Sequence, residues 1–127
     1  MKNSLWKRAL WMQLGALNGL VALLLLLATD SSLLSAGHAA SIRLGAQIHF
    51  MHSMATLSCA TFMNIGARDA RNAPAFFLSG ILLFCLPIYT QAIGAPDWVV
   101  LIKPLGLGAF VTGWLIMAWS AREIDRG

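Results

Sequence analysis

The sequence predicts an all-α integral membrane protein, a single domain of residues 1–127 built as a bundle of four transmembrane helices. Three observations support this fold class. Hydrophobic residues make up 58% of the chain and charged residues 11%, whereas a soluble domain is about a quarter charged. The apolar residues fall into four runs, each near the roughly 20 residues that cross a bilayer. Most lysines and arginines lie at the ends of these runs.

The predicted spans cover about residues 9–28, 44–65, 75–93 and 99–120. The first connection, residues 29–43, is the longest. Its "DSSLLSA" segment has two possible structures: a short surface helix, with Asp30 or Ser31 as its N-cap, or an ordinary loop. The second connection is "GARDARNAP", and the third, "GAPDW", is a turn so short that the last two spans must be antiparallel neighbours.

The distribution of basic residues predicts the orientation. With four spans, both termini and the second connection share one side of the membrane. That side carries Lys2, Lys7, Arg8, Arg68, Arg71, Arg122 and Arg126, whereas the other carries only Arg43 and Lys103. We therefore expect both termini in the cytoplasm and the protein in a cytoplasmic (inner) membrane. The alternative is a cleaved secretory signal ending near "SAGHAA", for which the first apolar run is long.

Composition and motifs argue against several classes of protein. The net charge of +4 does not predict nucleic-acid binding, because the basic residues form no continuous face. Cys59 and Cys85 lie inside apolar runs without zinc-site spacing. Nucleophile–base pairs, carboxylate pairs and phosphate-binding glycine loops are not recognisable. The sequence therefore predicts a protein that is not an enzyme and has no cofactor.

Small residues and prolines predict how the helices pack. Gly15 and Gly19 form a GxxxG pair in the first span, and Ala109 and Gly113 form a similar pair in the fourth. Such pairs let helices approach closely, either within the bundle or against another protein. Pro87 should kink the third span because it lacks a backbone donor and clashes one turn back.

Polar residues of the second, third and fourth spans are predicted to share one layer near the non-cytoplasmic side. They are Gln47, His49, His52, Tyr89, Gln91 and Lys103. Three interpretations remain open. His49 and His52 could bind a metal ion or haem, although two ligands are an incomplete set. The layer could be a proton relay or ligand pocket. Alternatively, these side chains form a polar seam of interhelical hydrogen bonds, with Lys103 reaching the interface.

The second half of the chain resembles the small bacterial membrane proteins called domain of unknown function 423. The resemblance lies in the segments Ser79–Tyr89, Lys103–Gly106 and Thr112–Ala118, and in His52 within the second span. It covers roughly residues 42–121. The family's "GAFGAHGL" motif after the first span is absent. The resemblance implies a four-helix membrane fold and says almost nothing about chemistry.

The sequence thus predicts a small bundle that acts by association, as an accessory or scaffolding subunit of a larger respiratory or photosynthetic membrane complex. Its expected partners are the lipid bilayer and other integral membrane proteins or further copies of itself. The first alternative is a small oligomeric transporter or channel that uses the polar layer. The second is a metal- or haem-binding membrane protein.

Overall fold

Four helices make up the protein in a computed structural model that describes residues 8–126. They are α1 (Arg8–Ala28), α2 (Ala36–Asn64), α3 (Arg68–Gln91) and α4 (Asp97–Arg126). The described part contains no strand. Helix α3 opens with a 3-10 turn at Arg68–Asn72, and α4 has 3-10 turns at both ends, Asp97–Ile102 and Ala121–Arg126. Lys2 and Lys7, which entered the charge count, lie outside the described residues.

Three of the four helices are long and apolar enough to cross a membrane: α1, α3 and α4. Four such helices were expected from the sequence. The exception is α2, which has length enough at 29 residues but carries histidines, hydroxyl groups and Arg43 among its apolar residues. Composition and length therefore confirm an all-helical membrane protein with three candidate spans.

The start of α2 corrects the predicted first connection. The helix begins at Ala36 rather than at residue 44, and its N-cap is Ser35. Residues 29–35 form no helix, so the connection is an ordinary loop and the short surface helix capped by Asp30 or Ser31 is absent. The Ser35 hydroxyl accepts a hydrogen bond from the His38 backbone N–H at 3.3 Å. An N-cap serine satisfies a backbone donor that the first turn leaves unpaired, so the alanine-rich segment after it becomes helical.

Because α2 begins early, Arg43 belongs to a helix and not to a loop. Its guanidinium donates to the Thr29 hydroxyl at 3.3 Å and forms an ion pair with the Asp30 carboxylate at 3.5 Å. The end of α1 is thereby tied to the second turn of α2. The actual connection between these helices is the short segment of residues 29–35.

Glycines set the close contact between α1 and α2. A Cβ atom on Gly15 would lie 3.1 Å from the Ser53 carbonyl oxygen, and one on Gly19 would lie 3.8 Å from the Phe50 ring. The GxxxG pair of the first span therefore packs inside the bundle, where the missing side chains allow the two backbones to approach.

Glycine and phenylalanine interlock between α3 and α4. The Phe110 ring of α4 packs directly against Gly80 of α3. In the other direction, a Cβ atom on Gly113 of α4 would lie 2.6 Å from the Phe77 ring of α3. Gly106 differs in meeting backbone rather than a ring, because its Cβ would lie 2.6 Å from the backbone nitrogen of Phe84. Ala109 is only partly buried, so Gly106 rather than Ala109 joins Gly113 on the contact face.

A π-helical turn interrupts α3 at Ile81–Cys85, immediately before Pro87. Proline removes a backbone donor and crowds the carbonyl group one turn earlier, and that carbonyl lies within the π turn. Single π turns occur as local insertions in α-helices. Pro87 thus follows a widened turn in α3, and the kink expected at this proline stays a prediction.

The contact at Gly106 makes a matched pair of variants informative. Gly106→Ala should lower the free energy of unfolding by about 1 to 3 kcal/mol, because the added methyl meets backbone that cannot rotate away. Gly108→Ala, whose Cβ would have no atom within 4 Å, should leave stability unchanged or raise it slightly. Unfolding in mixed micelles followed by circular dichroism would measure both. Equal stability of the two variants would contradict this packing.

Candidate functional site

Helix α2 carries its polar side chains into the interior of the bundle. His49 is 4% exposed and His52 is 6% exposed, while Ser53 and Thr56 are fully buried. The hydroxyl groups of Ser53 and Thr56 donate to the carbonyl oxygens of His49 and His52, at 2.8 and 2.9 Å. The hydroxyls are therefore satisfied within α2, whereas each imidazole also needs a partner from another helix.

His49 joins α1, α2 and α3. Its Nε2 lies 3.1 Å from the Asn18 side-chain oxygen, and its Nδ1 lies 3.0 Å from the Tyr89 hydroxyl. Because the Asn18 amide nitrogen donates to the Leu14 carbonyl at 2.9 Å, the Asn18 oxygen faces His49 as an acceptor. Nε2 must then carry the proton, and Nδ1 accepts from the Tyr89 hydroxyl.

His52 faces α4 and has the opposite tautomer. The Trp114 indole N–H donates to its Nε2 at 3.2 Å. An indole can only donate, so Nε2 has no proton. Nδ1 carries the proton and donates to the Ile48 carbonyl at 2.7 Å. The ring also stacks on Phe110, with centroids 3.6 Å apart and planes 14° apart.

This geometry does not favour a metal or haem site at the two histidines. Each neutral imidazole has one lone pair with which to bind a metal ion, and both lone pairs already accept hydrogen bonds, from Tyr89 and Trp114. Within residues 8–126, no group of three or more His, Cys, Asp or Glu side chains is placed to hold a metal ion. The hydrogen bonds of His49 and His52 therefore serve to hold the helices together.

The other predicted members of the polar layer do not converge on the histidines. Gln47 is exposed, since two positions along a helix from His49 place it on another face. Gln91 donates to the Asp97 carboxylate at 3.2 Å across the last turn. The Lys103 ammonium lies over the Phe84 ring, 5.2 Å from its centroid. The structure therefore brings together only His49 and Tyr89 from the predicted set.

Two partners of the histidines, Asn18 and Trp114, were missing from the predicted set. Each had a signal in the sequence. An asparagine in the middle of a span is costly unless it faces protein, and an indole N–H away from water usually has an acceptor. Neither signal specifies a partner, because the pairings with His49 and His52 join residues 31 and 62 positions apart.

The two thiols lie in the core. Cys59 and Cys85 are both 0% exposed. The Cys59 thiol points at the Met117 sulfur at 3.0 Å, and the Cys85 thiol points at the Gly45 carbonyl at 3.4 Å. They fill small spaces between α2 and the two C-terminal helices, as small apolar residues do.

Three clefts lie on the outer surface, away from the histidines. One cleft, of about 590 Å³, is lined by Asp69, Asn72, Thr112, Leu115, Ile116 and Trp119. One of about 380 Å³ lies where α2 and α4 end, lined by residues that include Arg68, Glu123 and Arg126. One of about 350 Å³ contains Lys103.

Comparison with known proteins identifies the family. The model of the family described as "Protein of unknown function (DUF423)" matches residues 26–106, well over half of the chain. The chain belongs to this family. A relative in Haemophilus influenzae, named "UPF0382 membrane protein", is 32% identical over 91 residues, which are 72% of this chain and 73% of the relative. No solved structure matches the chain significantly.

The family match confirms the resemblance seen in the sequence and shifts its limits. The matched segment begins at residue 26 and ends at 106, rather than running from 42 to 121. It therefore contains His49, His52 and Tyr89 but not Asn18 or Trp114. A homologue named as a membrane protein, together with three apolar helices, identifies this chain as a small membrane protein.

The two hydrogen-bond networks predict opposite tautomers for the histidines. Nitrogen-15 NMR of the protein in micelles should show His49 protonated at Nε2 and His52 protonated at Nδ1, both neutral. Trp114→Phe removes the donor to His52 Nε2 alone. The nitrogen-15 shift of that Nε2 should therefore move, while Nδ1 keeps its proton on the Ile48 carbonyl and the shifts of His49 stay unchanged. The same tautomer at both histidines would be inconsistent with these hydrogen bonds.

Proposed function

We propose that all four helices cross a cytoplasmic membrane with both termini on the cytoplasmic side. The distribution of charge supports this orientation. One end of the bundle joins Arg8 to Asn64 and the Asp69 backbone N–H to the Glu123 carboxylate. Arg68, Arg71, Arg122 and Arg126 belong to the helix ends on that side, and such an excess is typical of cytoplasmic loops.

The proposal that α2 crosses the membrane follows from which of its residues face protein. The polar groups that lower its hydropathy, His49, His52, Ser53 and Thr56, are buried in the bundle. Polar side chains are tolerated at membrane depth when they face the bundle interior. From Arg43 to Asn64 the helix rises about 32 Å, close to the thickness of the hydrocarbon core.

Cysteine labelling in intact cells tests this topology. A maleimide that cannot cross membranes should label Ser32→Cys from outside. It should label Ile65→Cys and Asp125→Cys only after the membrane is opened. The two native thiols are buried and serve as a background that stays unlabelled. Labelling of Ser32→Cys and Ile65→Cys from the same side would rule out a membrane-crossing α2.

We further propose that the protein acts as an accessory subunit of a larger membrane complex. The observation that supports this proposal is the composition of the outer face of α2. Four residues in the middle of α2 lie on this outer face and are exposed: Gln47, Met51, Met54 and Thr61. The amide of Gln47 makes no hydrogen bond among residues 8–126. By contrast, the outer faces of α1 and α4 present leucine and valine, including Leu17, Leu20, Leu24, Leu105, Val111 and Leu115.

The chemistry of this α2 face suits a protein partner better than lipid. An amide inside the hydrocarbon that lacks a partner costs free energy, whereas an interhelical hydrogen bond from such a group stabilises helix association. Met51 and Met54, which are 55% and 47% exposed, are unbranched and adapt to irregular surfaces. The partner is therefore a membrane helix with a hydrogen-bonding side chain opposite Gln47.

Photo-crosslinking in native membranes tests the accessory role. A photoreactive amino acid at Met51 should give one reproducible crosslinked protein. The same probe at Leu20 is the control. Leu20 lies at the same depth as Met51, because the neighbouring Gly19 packs beside Phe50 and Ser53. The probe at Leu20 should react mainly with lipid. Gln47→Leu should reduce co-purification of the partner about threefold to tenfold.

The outcomes of this experiment separate the possible partners. A crosslink to a different membrane protein supports the accessory role. A crosslink only between copies of this chain would replace that role with self-association. Equal lipid adducts at Met51 and Leu20, without any protein adduct, would refute a partner on α2.

A further inference from the structure

The cleft at Lys103 combines an apolar wall with a single cation. It lies on the outside of the bundle between α3 and α4, has a volume of about 350 Å³, and is lined by Phe84, Val100, Lys103, Pro104 and Leu107. Four of these five side chains are apolar. The fifth is a half-buried lysine whose ammonium lies over the Phe84 ring, 5.2 Å from its centroid.

The charge of Lys103 is not neutralised by an acidic side chain in the described part of the chain. The two carboxylates at this end of the bundle have other partners. Asp30 pairs with Arg43 at 3.5 Å, and Asp97 accepts a hydrogen bond from Gln91 at 3.2 Å. A cation in a membrane segment is costly without a counter-charge, and such residues often mark binding sites.

The position of Lys103 matches the boundary between headgroups and acyl chains. It follows the 3-10 turn Asp97–Ile102, so its Cα lies about 12 Å along the helix from Asp97. Trp98 in that turn is 62% exposed, and exposed indoles prefer the membrane interface. Leu107 lies one turn deeper, where lipid tails begin.

We propose that this cleft binds an anionic glycerophospholipid. The lipid phosphate accepts hydrogen bonds from the Lys103 ammonium, and the first methylene groups of an acyl chain pack along Phe84 and Leu107. The apolar lining decides in favour of a lipid over a soluble anion, because a free phosphate would gain one charge contact and lose hydration against four apolar side chains. This inference requires only that the protein is in a membrane, and it is independent of the accessory role.

Lipid retention by the full chain tests the site. The protein is purified in mild detergent, supplied with equal amounts of phosphatidylglycerol and phosphatidylcholine, and its bound lipid is counted by native mass spectrometry. Wild-type protein should retain phosphatidylglycerol preferentially. Lys103→Met keeps the length and apolar stem of the side chain and should lower that preference about fivefold, while Lys103→Arg should preserve it.

Two further variants keep the test specific. Arg43→Gln removes one positive charge from the same end of the bundle without touching the cleft, so it should retain the preference. Leu107→Trp keeps the charge but fills the cleft at a position that is 54% exposed, where folding should tolerate it, and it should reduce retention of phosphatidylglycerol.

The proposal is overturned if Lys103→Met binds phosphatidylglycerol as the wild type does, or if Leu107→Trp leaves retention unchanged. Equal loss in Lys103→Met and Arg43→Gln would also overturn it, because net charge alone would then explain binding. Glycerol 3-phosphate serves as the headgroup probe without acyl chains. If it displaces the lipid at equal concentration, the site recognises a soluble anion instead.

Discussion

A polar group inside a membrane must be satisfied by protein, because hydrocarbon offers it no hydrogen bond. Helix α2 concentrates this constraint, since it places two imidazoles and two hydroxyls in the interior of the bundle. The hydroxyls are satisfied by α2 itself. The imidazoles need one partner from each of the other three helices, namely Asn18, Tyr89 and Trp114. The arrangement of the bundle around α2 follows from these requirements.

Close packing makes those hydrogen bonds geometrically possible. Gly15 lets α1 approach the backbone of α2, and Gly106 and Gly113 let α4 approach α3. The π turn at Ile81–Cys85 changes the rotation of the second half of α3, the half that carries Tyr89. Shape and polarity therefore depend on each other. The glycines bring the helices within hydrogen-bonding distance, and the hydrogen bonds fix which faces meet.

The sequence predicted the helical membrane fold and the family because these depend on local composition and short motifs. It failed at the start of α2, where one capping serine and a run of alanines outweighed the low hydropathy of residues 36–43. It also placed six polar residues in one layer by depth alone. Depth does not specify rotation about the helix axis, so Gln47 faces outward while His49 faces Asn18. Pairings such as His52 with Trp114 depend on the packing of helices far apart in sequence, and a single chain without its fold does not reveal them.

The low hydropathy of α2 has a consequence for biogenesis. Helix α2 is less apolar than α1, which precedes it in the chain. The two are joined by only residues 29–35 and tied together by Arg43, so we expect them to enter the bilayer as one helical hairpin. The lone pair of His52 then has no donor until α4, which follows the other three helices in the chain, supplies Trp114. The hydrogen bonds of α2 are therefore complete only when α4 has packed against the first three helices.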